Sequence, residues 1–240
     1  MDLNKGFYKD LDTNFEQAYE MAQCDFSHAE LINMLKNGNI PQKQIAAMKL
    51  EGVNGINEAE ILIGNLTGCD GKIREAVALK IYQLLKSDKK YIALFKPFYS
   101  KFADGTIDIN GNICRLVIDS VEILKEDGEF AEKYLELLLG HIKEAFEGLD
   151  KIIFRDKKYT VNKQLFKLYW CLESLRLFTS DISAETLLPI LERSSEEKEY
   201  TIREKVAQIL IRTNDKIFAP LAEKLKNDEN YYVRNVFKQD

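Results

Sequence analysis

The sequence predicts an all-α protein: a right-handed superhelix of about six stacked helical pairs behind one N-terminal capping helix. The first sign is an apolar spacing that returns along the chain. In Ile73-Arg74-Glu75-Ala76-Val77-Ala78-Leu79-Lys80-Ile81, apolar side chains stand at i, i+4 and i+8, with a basic residue just after the first. The same spacing recurs at Ile113/Val117/Val121, Val161/Leu165/Tyr169 and Ile202/Val206/Leu210. Weaker copies lie at Gln42/Ala46/Leu50 and Val233/Phe237. Residues so spaced share one helical face, so each segment is an amphipathic helix. The second sign is the period. The segments start at 42, 73, 113, 161, 202 and 233, a repeat near forty residues. Two helices per unit at that period mark an α-solenoid, in which each pair buries its apolar face against the next. The third sign is composition: only four prolines and twelve glycines interrupt 240 residues, which suits a mostly helical chain.

Taken in order, Phe7, Leu11, Phe15, Ala18 and Ala22 make one apolar face, so a helix over 6–24 is expected to cover the open end of the first repeat. Residues 1–26 are read as this cap and 27–240 as the repeats, one domain in all. Ser27 with Glu30 three residues on is a capping box, opening a helix that Asn37-Gly38 closes. Pro41 suits the first turn of the next helix, where its missing N–H is not needed. First and second helices then alternate over 58–66 and 72–86, 89–102 and 112–125, 129–146 and 161–178. They continue over 184–193 and 201–213, then 215–226 and from 230 onward. Asp104-Gly105 and Asn110-Gly111 mark a loop over 103–112. The alternation in Thr106-Ile107-Asp108-Ile109 allows a tiny hairpin there, though a plain loop fits better. Residues 147–160, with Ile152-Ile153-Phe154 set among charges, form the longest irregular connection.

Net charge is −5, which argues against a nonspecific polyanion binder, since neutralising phosphates needs a basic face. The N-terminus is polar, no secretory apolar segment follows it, and the apolar runs fall far short of a membrane span. A cytoplasmic location without membrane contact is the expectation. Cys24, Cys69, Cys114 and Cys171 form no CxxC pair and read as reduced packing residues.

The last two repeats resemble HEAT repeats. Members of that family often carry a proline within the first helix, an acidic turn residue eight positions later, and Arg or Lys fourteen positions after the proline. Pro220, Asp228 and Arg234 match all three; Pro189, Glu197 and Arg203 match with Glu for Asp. The proline bends its helix by removing one i→i−4 bond. The acidic residue can accept N–H groups at the start of the second helix and pair with the arginine of its own or a neighbouring repeat. Pro97 is followed at these offsets by Gly105 and Gly111, so the third repeat departs from the pattern. The resemblance spans 27–240 and is best at 58–86 and 184–240. It implies a scaffold or adaptor for proteins. Other branches of similar helical pairs assist bilin attachment or excise alkylated bases from DNA.

The residues themselves offer little chemistry. His28 and His141 are far apart, and His141 with Glu144 is half of a metal site at most. Cys24 and His28 are separated by a helix break, and no GxSxG or phosphate loop is present. No cofactor is expected. Base excision needs a basic groove, aromatic residues and a carboxylate. Trp170, Tyr169, Lys163, Lys167 and Glu173 come nearest. Residues 151–176 hold seven Lys/Arg against two Asp/Glu, but 121–150 hold nine Asp/Glu against three Lys/Arg. That acidic stretch also admits an inhibitor or immunity-type role against a basic toxin.

Arg74, Arg203 and Arg234 hold one position in their repeats. They form either a row of groove donors or a structural ladder to Asp70, Glu197 and Asp228. Tyr231, Tyr232 and Phe237 are either interface anchors or packing for the last repeat. The leading expectation is a non-enzymatic scaffold that holds a protein partner, without tight nucleic-acid binding. In the HEAT family the second helices line the groove. The resemblance therefore places Arg115, Asp119, Glu122, Lys163, Lys167, Trp170, Glu204 and Gln208 on the partner surface. Trp170 is either an anchor there or part of the core between repeats.

Overall fold

The structure, a computed structural model, describes residues 3–68, 70–152 and 158–238, with side chains from residue 13 onward apart from that of Lys158. Fourteen α-helices are found among them. They are α1 (Leu3–Ala22), α2 (His28–Asn37), α3 (Ile40–Lys49), α4 (Ile56–Ile63), α5 (Gly71–Ser87), α6 (Lys90–Phe95) and α7 (Tyr99–Thr106). The rest are α8 (Gly111–Leu124), α9 (Gly128–Asp150), α10 (Lys158–Leu175), α11 (Ala184–Ser195), α12 (Tyr200–Leu210), α13 (Ala219–Lys226) and α14 (Tyr231–Val236). No strand occurs among the described residues. The chain divides into two compact units, Met1–Ala131 and Glu132–Asp240.

In the N-terminal unit α2 packs on α3, α4 on α5 and α7 on α8, while α3, α5 and α8 lie side by side in one layer and α2, α4 and α6 in the other. The C-terminal unit repeats the scheme, with α11 on α12, α13 on α14, and α10, α12 and α14 adjacent. Successive helical pairs are thus the building principle of each unit. The apolar spacing explains why: Val77, Ile81, Ile113, Val117, Val121, Ile202, Val206 and Leu210 are all buried. Burying side chains of this size stabilises by roughly 1.5–3 kcal/mol each. Larger groups fill the space between layers. Phe102 meets Phe130 edge to face at 5.8 Å, and Tyr134 of α9 stacks on Phe178 at 5.6 Å.

Helix starts follow local chemistry. Ser27 and Glu30 form the expected capping box, and Asn39 with Gln42 forms a second one just before Pro41. Asp70 accepts from the N–H groups of Lys72 and Ile73, and Asn110 and Asn230 cap α8 and α14 in the same manner.

Several boundaries differ from the expectation. Residues 103–106 belong to α7, not to a loop. Gly105 is buried there because α7 approaches α8 closely: a Cβ on it would lie 3.0 Å from Val117 Cγ2. Its smallness serves packing and not a turn. Pro97 sits in a short 3-10 turn, Lys96–Phe98, that joins α6 to α7. Thr106 forms no hairpin; its hydroxyl donates to the Phe102 carbonyl at 2.9 Å. Helix α9 continues four residues past Phe146 to Asp150. Within 147–160, residues 153–157 lie outside the described part. Helix α1 packs on α3; Asn14, Gln17, Ala18 and Met21 are half-buried, while Phe15 is 67% exposed.

Candidate functional site

The arginines at the repeated position join neighbouring repeats. Arg74 Nε and Nη2 donate to the two carboxylate oxygens of Asp108 at 2.7 and 3.2 Å, and Nη1 donates to the Gly68 carbonyl at 2.6 Å. Arg203 repeats this geometry, with Nε and Nη2 on Asp228 at 2.7 and 3.0 Å and Nη1 on the Glu197 carbonyl at 2.8 Å. Each guanidinium therefore closes its own turn and clasps the carboxylate of the next one. Bidentate pairs of this kind are strong and directional. The expected partners are corrected accordingly. Asp70 caps α5, the Glu197 contact is through its backbone, and Arg234 bonds the carbonyls of Asp228 and Glu229. Burial pushes the Asp228 carboxyl up, but Arg203 and the Asn230 N–H outweigh it and hold it below the usual range. Arg74 and Arg203 are structural rungs, with Nε, Nη1 and Nη2 all engaged.

The third repeat hides its rung. Asp108 follows Pro97 by eleven positions instead of eight, yet Asp108-Ile109-Asn110 matches Asp228-Glu229-Asn230 in role: each Asp accepts from the N–H two residues on, at 2.8 and 2.7 Å. That shared Asp-x-Asn was the signal in the sequence. Cys114 occupies the arginine position there, and its Sγ donates to the Asp108 carbonyl six residues back at 3.0 Å.

The eight expected surface residues fall in two groups. Arg115, Asp119 and Glu122 stand on α8 in the N-terminal unit, Arg115 and Glu122 exposed and Asp119 half-buried. In the C-terminal unit, Lys163 of α10 is exposed. Lys167 pairs with Glu144 of α9 at 2.6 Å, which holds that carboxyl below its usual range. Glu204 and Gln208 of α12 are half-buried, and Gln208 Oε1 accepts from Lys205 at 3.0 Å. Trp170 is buried, 8% exposed, with its ring against Tyr169 at 5.1 Å and Phe166 at 6.1 Å. It belongs to the packing of the C-terminal unit.

Beside it lies an ionic cluster. Glu173 accepts from Lys205 at 2.6 Å and from Arg176 at 2.7 Å, and Lys205 Nζ sits 4.8 Å from the centre of the Tyr169 ring. Burial raises the Glu173 carboxyl, and the two cations more than reverse that. A carboxylate held by two cations is an ion-pair anchor between α10 and α12, not a poised base. Burial pushes the Cys171 thiol up to about 12, so it is not a nucleophile. Among the described residues no three His, Cys, Asp or Glu converge as metal ligands, and no helix is long and apolar enough to cross a membrane.

One open apolar feature was not expected. A groove of about 440 Å³ runs between α1 and α3, lined by Phe15, Ala18, Tyr19, Ile40, Gln44 and Met48. Phe15 is 67% exposed, Tyr19 63% and Met48 56%. Sequence reasoning assigned Phe15 to the capping face and so did not find the groove. The spacing Phe15/Tyr19 with Ile40/Gln44/Met48 puts each set on one helical face. That spacing is visible in the sequence, but whether the faces are covered is not.

Compared with protein-family models, with curated proteins and with solved structures, the chain matches none.

Proposed function

We propose that the chain is a non-enzymatic scaffold of the HEAT type that holds a protein partner in the groove lined by its second helices. The observation that carries this reading is the α1–α3 groove, where Phe15, Tyr19, Ile40 and Met48 stand in solvent around one concavity. Aromatic and methionine side chains left open in this way are the usual anchors of protein interfaces, and methionine adapts to a partner's shape. The Arg203–Asp228 clasp supports the HEAT assignment, since it joins the family-position arginine of one repeat to the family-position acid of the next. In the N-terminal unit, exposed Arg115 and Glu122 of α8 add charge of both signs, which suits electrostatic matching to a folded protein.

The test is a pull-down from the native cell with the wild-type chain and two double variants, Phe15→Glu/Tyr19→Glu and Lys163→Glu/Lys167→Glu, each checked by thermal melting. The expected result is that partners held by the wild type are lost with the first variant and weakened with the second. If both stable variants recover the same proteins as the wild type, the reading fails.

A further inference from the structure

Tyrosines are spread unevenly over the repeats. In the C-terminal unit one stands two positions before the first apolar residue of each second helix: Tyr159 before Val161, Tyr200 before Ile202, Tyr231 before Val233. In the N-terminal unit the same position holds Ile40, Gly71 and Gly111. This is the edge where the second helices begin, so packing does not call for an aromatic ring there. Tyr159 is 84% exposed, Tyr231 57% and Tyr232 59%.

On α12 and α14 the rings join into one surface. Tyr200 and Tyr232 stack with centroids 5.8 Å apart and planes at 26°. Tyr231 meets Tyr232 at 5.6 Å and 73°. None of the three hydroxyls makes a hydrogen bond among the described residues. Glu199 and Glu229 flank the rings in the turns before α12 and α14, both exposed, with the Glu229 side chain 88% so. The nearby guanidinium of Arg203 is directed at Asp228, and reaches Glu229 at 3.4 Å only as a secondary contact.

We propose that this tyrosine edge binds a proline-rich segment of a protein partner that also carries arginine or lysine. Polyproline II has no internal hydrogen bonds, so its carbonyls are free to accept from tyrosine hydroxyls while its rings pack on tyrosine faces. Tyr200 and Tyr232 stand on adjacent second helices, α12 and α14, so an extended segment that crosses the two helices meets both rings. The stacked pair at 26° and the near-perpendicular pair at 73° offer ring faces in two directions, which suits a three-sided helix. The two exposed carboxylates select a basic segment. This surface lies in the C-terminal unit and the α1–α3 groove in the N-terminal one, so the inference goes beyond the groove reading and does not depend on it.

The experiment is an NMR titration of the full chain, following aromatic resonances, with a ten-residue peptide containing prolines at every third position and two arginines. A second peptide of equal charge has its prolines replaced by serine. The proline peptide is expected to shift Tyr200, Tyr231 and Tyr232 and to bind at least ten-fold more tightly than the serine peptide. Tyr232→Ala should weaken it at least ten-fold and Glu199→Lys/Glu229→Lys several-fold, while Tyr232→Phe, which keeps the stack, retains most of the affinity. All of these positions are at the surface, so the variants should melt like the wild type. Equal binding of both peptides would reduce the effect to charge and overturn the proposal. So would shifts confined to the α1–α3 groove, or no shift at millimolar peptide.

Discussion

At the scale of single residues, the strongest physical statement concerns the two clasped arginines. In the Arg203–Asp228 pair both side chains are nearly buried, 9% and 8% exposed. Removing Arg203 leaves Asp228 with only the Asn230 N–H and the field of Arg234 in a largely covered site. We predict that Arg203→Ala costs about 3 kcal/mol, as expected for breaking a buried pair. Arg234→Ala, which loses bonds to backbone carbonyls alone, should cost about 1 kcal/mol. Urea denaturation of the two variants checks both, and equal small losses would reduce the clasp to surface decoration. A pH dependence follows from the same pair. The folded Asp228 carboxyl titrates below its ordinary value of 3.8, so its contribution is fully present above that value and is lost as pH falls through the lowered one. Glu173 behaves alike below its ordinary 4.5. The chain should therefore lose stability on acidification from about pH 5 downward. Asp228→Asn should be less stable near neutrality and flatter on the acid side, which urea midpoints measured across that range would reveal. An unchanged slope would mean that the pair contributes nothing net.

At the scale of elements, close approach outweighs local turn preference. Asp104-Gly105 is a strong turn signal, yet both residues close α7 because its last turn packs on α8. Helical Gly→Ala substitutions commonly gain about 1 kcal/mol in propensity, but here a Cβ meets Val117 at 3.0 Å and Leu66 at 3.3 Å. We predict that these effects nearly cancel in Gly105→Ala, whereas Gly105→Leu overpacks the contact and loses about 3 kcal/mol. Thermal melts of the two variants decide it, and a Gly105→Leu protein as stable as wild type would show that α7 can move aside. Helix α1 makes the converse point. It packs on α3, yet Phe15 and Tyr19 at the groove between the two helices stay open, 67% and 63% exposed.

At the scale of the whole molecule, the charge balance limits the partners. The net charge of −5 is distributed over exposed acids, while several cations are tied down, Arg74 to Asp108, Arg203 to Asp228 and Lys205 to Glu173. We predict no binding to duplex DNA tighter than the nonspecific range of about 10⁻⁴–10⁻⁶ M at physiological salt. An anisotropy titration would show it. Sub-micromolar affinity with a steep salt slope would revive a nucleic-acid role.

What the sequence determined by itself is what depends on short-range periodicity and local hydrogen bonding. The i, i+4, i+8 spacing located the second helices because one buried face must repeat in register with the helix. Ser27 with Glu30 located the start of α2 because a cap acts on backbone groups two or three residues away. What the tertiary structure alone decided depends on which faces meet. The clasps run from one repeat to the carboxylate of the next, across 34 residues for Arg74–Asp108 and 25 for Arg203–Asp228. No local rule predicts that reach, and an insertion of three residues after Pro97 hid the first of them. Trp170 could be read either way because exposure at one helical position depends on its neighbours; Tyr169 and Phe166 cover it. Phe15 and Tyr19 sit on an apolar face that looks fit for a core, and only the packing of α1 on α3 decides that they stay exposed at the groove between them.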